Sequence, residues 1–288
     1  AKFGAKVESY SRQATIALAG VGAAAYSVVN SASDLNESIS KTGVIFGEGS
    51  KDIEAFADTA AKELGLSKRA ALDAAANFAI LGQEELCTGD PARRAGNEFL
   101  FQMMAYQNIQ TLNNYGVEKI VTTCPHCFNT LKNEYPELGG SYEVMHHTQL
   151  LQQLIDEGKI RIREGGSFAG KKIVYHDSCY LGRANGIYEA PRKILELLDS
   201  ELVEMKRCKT NGLCCGAGGA QLFKEEEKGD KRINTERTEE ALQTGASVIA
   251  AACPFCNTMM TDGVKLAEKE QTVEVLDIAE IIEKEMLS

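Results

Sequence analysis

A chain of 288 residues, 44% hydrophobic and 25% charged, is long enough to bury a core and ordinary enough to be globular. Its net charge of −10, lack of tryptophan and aromatic content of 7% argue against nucleic acid as the main partner, which calls for basic and stacking surfaces. Nine cysteines, an odd number confined to Cys87–Cys256, argue against a secreted disulfide framework and for thiolate chemistry in a reducing compartment, the cytoplasm.

Residues 1–80 hold no Cys, His or Pro and read as helix throughout. The uncharged stretch QATIALAGVGAAAYSVVNSAS (13–33) predicts a small-residue helix that is buried or self-associates. Its continuous apolar part falls short of the roughly 20 residues that span a bilayer, although the basic start (Lys2, Lys6, Arg12) leaves a membrane or signal role open. Ser33 or Asp34 caps the next helix, and GSKDIEAFADTAAKELGL then places Ile53, Phe56, Ala57, Ala60 and Leu64 on one face. Ser67 caps the helix that follows.

After Leu81 strands and helices alternate. The strand-like runs are KIVTTC (119–124), YEVMHH (142–147), KKIVYHDSC (171–179), LVEMK (202–206), SVIAAAC (247–253) and VEVLDI (273–278). Between them RRAGNEFLFQMMAYQNIQTLNNYG and INTERTEEALQTG read as helices. Apolar strands alternating with helices predict an α/β fold with parallel sheets. REGGSFAGKK (163–172) reads as a linker, and KEEEKGDKR as a solvated face.

The chain also repeats itself. LCTGDPARR, leading to TTCPHC, matches LCCGAGGAQ, leading to AACPFC, with Cys87 opposite Cys214, Thr88 opposite Cys215, and steps of 37 and 39 residues to the C-P-x-C. In each copy an apolar strand delivers the C-x-x-C at its C-terminal end, where open α/β sheets place their ligands. The domain expectation is a helical segment 1–80, a truncated first unit 81–165 and a complete second unit 166–288.

In the second copy Cys179 is followed after 34 residues by Cys214 and Cys215, and after 37 more by Cys253 and Cys256. Soft thiolates select zinc, copper(I) or iron–sulfur clusters. Four ligands complete tetrahedral zinc, so a fifth thiol favours a cluster of several irons. The glycines after Cys215 let backbone N–H groups approach inorganic sulfide, whereas GAGGAQ lacks the G-x-G-x-x-G spacing of a nucleotide loop. Zinc and plain redox thiols stay open as alternatives.

The residues CCGAGG, YHDSCYLGR, GIYEAPRKIL and ACPFC, in the C–x34–CC–x37–C-P-x-C frame, closely resemble the cysteine-rich CCG domain. That domain occurs in heterodisulfide reductases, the glycolate oxidase iron–sulfur subunit and related iron–sulfur oxidoreductases. The resemblance runs over residues 78–285. It implies a 4Fe-4S cluster, cubane or not, on Cys179, Cys214, Cys215, Cys253 and Cys256, and an electron-transfer role beside a flavoprotein or other redox subunit. Membrane association would come only through such a partner. A weaker site at Cys87, Cys124 and Cys127 could hold zinc if His126 or an outside group joined, or the first copy is a vestigial half that packs against the other; Thr88 replaces the paired thiol, and no opening Cys precedes Cys87. The upstream ferredoxin-type module is absent. Instead DLNESISKTGVIFGEGSKDIEAFADTAAKELGLSKRAALDAAANFA resembles the N-terminal region of phage tail tape-measure proteins, which suggests a chimera with a seam near Asn77–Gly82. A tail structural protein, or a zinc-stabilised interaction module without redox activity, are the competing functions.

Remaining polar residues carry smaller expectations. Strand alternation would bury one of His146 and His147 and expose the other, in structural roles. His176 either packs at a strand end or hydrogen-bonds a cluster sulfur. Cys208 falls outside the motif as a free thiol. Arg93, Arg94 and Arg183 read as solvated or capping side chains, and no Ser-His-Asp or paired-carboxylate arrangement stands out.

Overall fold

The computed structural model describes residues 84, 86–225 and 229–287. By its internal contacts the chain divides into Ala1–Leu86 with Leu287–Ser288, and Cys87–Met286. The described strands and the helices among them belong to the second unit; the helices expected over 1–80 lie outside the described residues.

Six short parallel strands form where the apolar runs predict them. β1 (Lys119–Thr122) pairs with β2 (Glu143–His146), Val121 lying opposite Met145. The second sheet has the order β4-β3-β5-β6, from β3 (Lys172–Tyr175), β4 (Glu201–Val203), β5 (Val248–Ala251) and β6 (Glu274–Asp277). Val174 lies opposite Ile249 and Ile249 opposite Val275. Every residue of β5 is buried, as an unbroken apolar run in an interior parallel strand requires.

The helices are α1 (Asp90–Arg94), α2 (Glu98–Asn114), α3 (Pro125–Asn129), α4 (His147–Asp156), α5 (Glu189–Glu196), α6 (Ile233–Leu242), α7 (Pro254–Leu266) and α8 (Ile278–Glu285). The run predicted as one helix from Arg93 is two. Gly96 takes φ +83°, and Asn97 restarts the chain as an N-cap accepting from the Leu100 amide at 3.1 Å. Beyond α3 the backbone widens to a π turn (Thr130–Glu134), then a 3-10 turn (Tyr135–Leu138). Pro136 lacks the N–H that would bond the Lys132 carbonyl, so the α ladder cannot continue there.

The two halves share a core. Ile173, Tyr175, Ile194, Leu195, Ile278 and Ile281 are fully buried on one face of the larger sheet, each side chain contributing about 1.5–3 kcal/mol by leaving water. Leu151, Leu154 and Ile155 of α4, from the first half, pack on that cluster. The expected linker 163–172 is tied down instead of loose. Phe168 is buried in the same core, Arg163 N–H donates to the Glu285 carbonyl at 2.8 Å, and Ser167 donates to the Glu285 carboxylate. One large apolar side chain and a buried acceptor outweigh the local Gly-rich composition.

Candidate metal centre

Two strand ends and a glycine-rich loop between them deliver the second motif. β3 runs into His176, Asp177, Ser178 and Cys179. Asp177 anchors this turn, accepting both Arg192 Nη atoms at 2.8 and 2.9 Å and the Lys209 amide at 2.7 Å. β5 runs into Cys253, the N-cap of α7, with Pro254 at the first helical position, which turns Cys256 back toward the strand end. Between them Gly216 takes φ +95°, which only glycine adopts without strain, and its N–H donates to the Cys214 sulfur at 3.3 Å. A Cβ on Gly218 would stand 3.9 Å from that sulfur.

Cys214, Cys215, Cys253 and Cys256 pack in one cluster, with the Cys215 and Cys256 sulfurs 3.4 Å apart, and Cys179 and Cys214 shift each other's acidity. The acidities of the five alternate because each ionised sulfur suppresses its neighbour. Bonds from Cys179 and Cys215 pull Cys214 far below the ordinary thiol range, while Cys214 pushes Cys215 up to about 12. Bonds from Cys124 and Cys256 bring Cys253 down to about 5, and Cys256, bonded to Cys215 and Cys253, is raised well above its ordinary value. Five adjacent thiols cannot all ionise unaided; a multiply charged cationic group would release every proton at once.

His176 stands against these sulfurs, fully buried, with a ring nitrogen within 4.8 Å of both Cys215 and Cys256. That spacing would suit a metal ligand, but the other side of the ring decides its role. Arg237 Nε donates to Nδ1 at 3.0 Å, so Nδ1 is the acceptor and the proton of the neutral ring sits on Nε2. Burial, reinforced by the Arg237 charge, lowers its pKa to about 3 and keeps it neutral. Nε2 is buried and has no hydrogen-bond partner. Arg237 is itself fully buried and fixed by the Arg207 carbonyl at 2.7 Å and Glu240 at 3.1 Å.

The first motif repeats the frame with different chemistry. Cys124 is the N-cap of α3, and its amide donates to Thr122 Oγ1 at 3.2 Å. The acidity of Cys124 is set by Cys127 and, across the repeat, by Cys253. Working against the lowering effect of Cys127, Cys253 and burial push the Cys124 thiol up to about 12. Thr88 Oγ1 donates to the Cys127 sulfur at 3.5 Å. Cys87 is exposed, with its carbonyl held by Asn108 at 3.0 Å. Among the described residues, the one group of three donors within 4.8 Å of one another is His176, Cys215 and Cys256; neither Cys87, Cys124 and Cys127 nor Cys179, Cys214 and Cys253 are gathered to that span. His126 bonds Asp90 at 2.9 Å, stacks on Tyr180 at 4.1 Å and meets Phe255 edge-on.

Both His146 and His147 are buried, not one of the two. His146 ends β2 and caps α4, bonding Thr148 at 2.8 Å and the Thr123 carbonyl at 3.2 Å, while His147 bonds Asp277 at 3.0 Å. Strand alternation stops at His146 because the helix begins there. Arg93 and Arg94 are partly buried on Glu134 and Asp90, and Arg183 is exposed. Cys208 lies apart from the sulfur chain. Arg237, Tyr180 and Phe255 are the contributors that sequence reading missed, whereas Thr88 was read from the repeat as standing opposite Cys215.

The profile of the cysteine-rich domain family CCG matches residues 57–132 and 173–261. The chain is 47% identical over 219 residues to "EtfAB:quinone oxidoreductase" of Syntrophomonas wolfei, covering 74% of this chain and 30% of that protein. It is also 47% identical over 215 residues to "Probable iron-sulfur-binding oxidoreductase FadF" of Bacillus subtilis, covering 74% and 30%. With a polypeptide of the dihydromethanophenazine-dependent CoB–CoM heterodisulfide reductase of Methanosarcina barkeri it shares 35% over 212 residues, covering 71% and 50%. The chain thus spans between about a third and a half of these relatives' lengths. The tail-protein resemblance of residues 1–80 finds no support among these relatives, and the family match already starts inside that segment.

Proposed function

The chain belongs to the cysteine-rich CCG domain family, and from that premise we propose that it is the iron–sulfur electron-transfer part of a larger oxidoreductase. The observation that supports this reading is the packed cluster of Cys214, Cys215, Cys253 and Cys256, with Cys215 and Cys256 3.4 Å apart, to which we add Cys179 as the fifth ligand. Tetrahedral zinc and a cubane 4Fe-4S cluster each take four of the five thiols, whereas a 4Fe-4S cluster opened to take a fifth thiolate uses the whole set. Such a cluster supplies one-electron redox chemistry when bound.

The protein's own residues set the conditions for that chemistry. The thiolates supply negative charge, and the Gly216 N–H and the His176 Nε2–H supply donors that offset it. Arg237 holds the imidazole in the donating tautomer, and the buried walls of Met259, Ala217 and Ala251 keep water away. Relatives named as a quinone oxidoreductase and as a heterodisulfide reductase subunit support a larger redox complex as the setting, in which we propose a flavoprotein or other redox subunit as the partner. Among the described residues no helix is long and apolar enough to cross a membrane, and one relative, in Chromohalobacter salexigens, is called a probable membrane-anchored ferredoxin. A module at the cytoplasmic membrane face, held there by its partner, fits both.

Iron and acid-labile sulfide analysis of anaerobically purified protein tests the proposal. About four irons and matching sulfide per chain are expected. Zinc without sulfide would replace the cluster with the zinc-stabilised interaction module.

A further inference from the structure

A ring nitrogen of His176 and the sulfurs of Cys215 and Cys256 form a buried trio within 4.8 Å of one another, the two sulfurs 3.4 Å apart. Ligand atoms around tetrahedral zinc lie about 3.5–3.8 Å from each other, so a modest approach would gather the trio on a single ion. The ring's proton stands against this. A neutral imidazole offers one lone pair, and Nδ1 commits it to the Arg237 Nε–H at 3.0 Å. Nε2 carries the proton, so neither nitrogen has a lone pair left for a metal. Metal-binding histidines usually donate their second N–H to a carboxylate or carbonyl, which frees the other nitrogen; here the second partner is itself a donor, the inverse arrangement. Arginine has no acceptor and stays charged, so the direction of that bond is fixed. The guanidinium is held in place as well. It is fully buried, and Nη1 donates to the Arg207 carbonyl at 2.7 Å and to Glu240 at 3.1 Å. Glu240 in turn accepts the Arg207 amide at 2.6 Å and its Nε at 3.0 Å.

Given the reading that these sulfurs hold metal, we propose that Arg237 selects the metal chemistry of the site. By holding the His176 lone pair it keeps the imidazole out of the coordination sphere, which favours a thiolate-only shell over a mononuclear thiolate–histidine zinc shell. Arg237 is thus a positioning residue that acts through His176.

Nitrogen-15 NMR of the full metal-free chain with labelled histidine reads the tautomer: His176 should show a protonated Nε2 and an unprotonated Nδ1. X-ray absorption of the zinc-loaded chain reads the shell, and no imidazole signal should depend on His176. Arg237→Met removes the donor at similar length. It should raise zinc affinity about 10–100-fold in competition with a chromophoric chelator and add one imidazole to the shell. Adding His176→Gln to that variant should erase both gains, and Arg237→Lys, which can still donate to Nδ1, should resemble the parent. Three results would each overturn the proposal: a His176 proton on Nδ1, an imidazole signal in the parent that His176→Gln abolishes, or an Arg237→Met chain with the parent's zinc affinity and shell. The first two need no change at Arg237, so they decide the matter even where that variant fails to fold. None of these readouts uses iron or sulfide, so a chain that takes up no cluster would sink the proposed function and leave the role of Arg237 standing.

Discussion

The two C-P-x-C turns share a backbone and differ in chemistry. Each follows a parallel strand, uses its first cysteine as an N-cap and places proline next, and each faces a glycine in the left-handed region, Gly89 at φ +86° and Gly216 at φ +95°. The likeness extends to the next strand and helix. His146 with Gln149 forms a capping box on α4, where Asp277 with Glu280 forms one on α8. Against this shared frame, Thr88 stands for Cys215, His126 for Phe255 and Asp90 for Ala217. One copy gathers buried sulfur and the other gathers hydroxyl, imidazole and carboxylate. Duplicated backbone geometry does not duplicate the sulfur set: the first copy lacks both the paired cysteine, at Thr88, and an opening cysteine, while the fold persists.

The largest effect should come from removing that sulfur where it exists. Cys215→Ser should lose essentially all bound iron and the associated visible absorption, whereas Cys127→Ser should keep them. Equal losses in the two variants would erase the distinction between the copies. Next in size is the reverse change. Thr88→Cys places a third sulfur beside Cys127, and the variant should bind up to one additional zinc per chain in a competition assay with a chromophoric chelator. No uptake would mean that the missing opening cysteine, rather than Thr88, disables the first copy.

Most of this architecture was legible in the sequence. Six apolar runs became six parallel strands because each is short, continuous and bounded by turn residues, signals that act locally. The repeated Cys-Pro-x-Cys was equally visible. What stayed hidden depends on partners distant in the chain. Arg237, in the charged stretch INTERTEEAL, reads as a solvated helical residue, yet it is fully buried against His176, 61 positions away. The approach of Cys124 to Cys253 joins two repeats that the sequence shows only as parallel copies. His147 is buried because α4 packs toward Asp277, which no periodicity within the segment announces.

An intermediate effect separates the copies by stability. The turn that opens the second motif rests on the buried Asp177–Arg192 pair, both side chains 4% exposed. Arg192→Gln leaves the Asp177 carboxylate buried with the Lys209 amide and no charged partner, and should cost about 3–5 kcal/mol. Urea unfolding reads this directly. A loss near zero would show that the second copy's loops stand without the pair.

The smallest effect distinguishes the two capping boxes by pH. His146 is buried and neutral, its pKa lowered to about 3 chiefly by burial and next by the adjacent His147. In the unfolded chain the same imidazole takes a proton near pH 6.5, so below that pH the unfolded state binds a proton that the folded state refuses. The stabilisation from keeping His146 neutral is therefore complete above about pH 6.5. It declines by about 1.4 kcal/mol per pH unit as the pH falls toward 3. His146→Asn can still accept the Thr148 amide and carries no titrating group. Its stability at pH 7 should drop by about 1 kcal/mol for the lost ring contacts and the bond to the Thr123 carbonyl, while its slope between pH 6.5 and 5 should be shallower than that of the parent by about the same 1.4 kcal/mol per unit. Parallel slopes in parent and variant would assign the acid sensitivity elsewhere and leave the histidine cap and the aspartate cap equivalent in this respect.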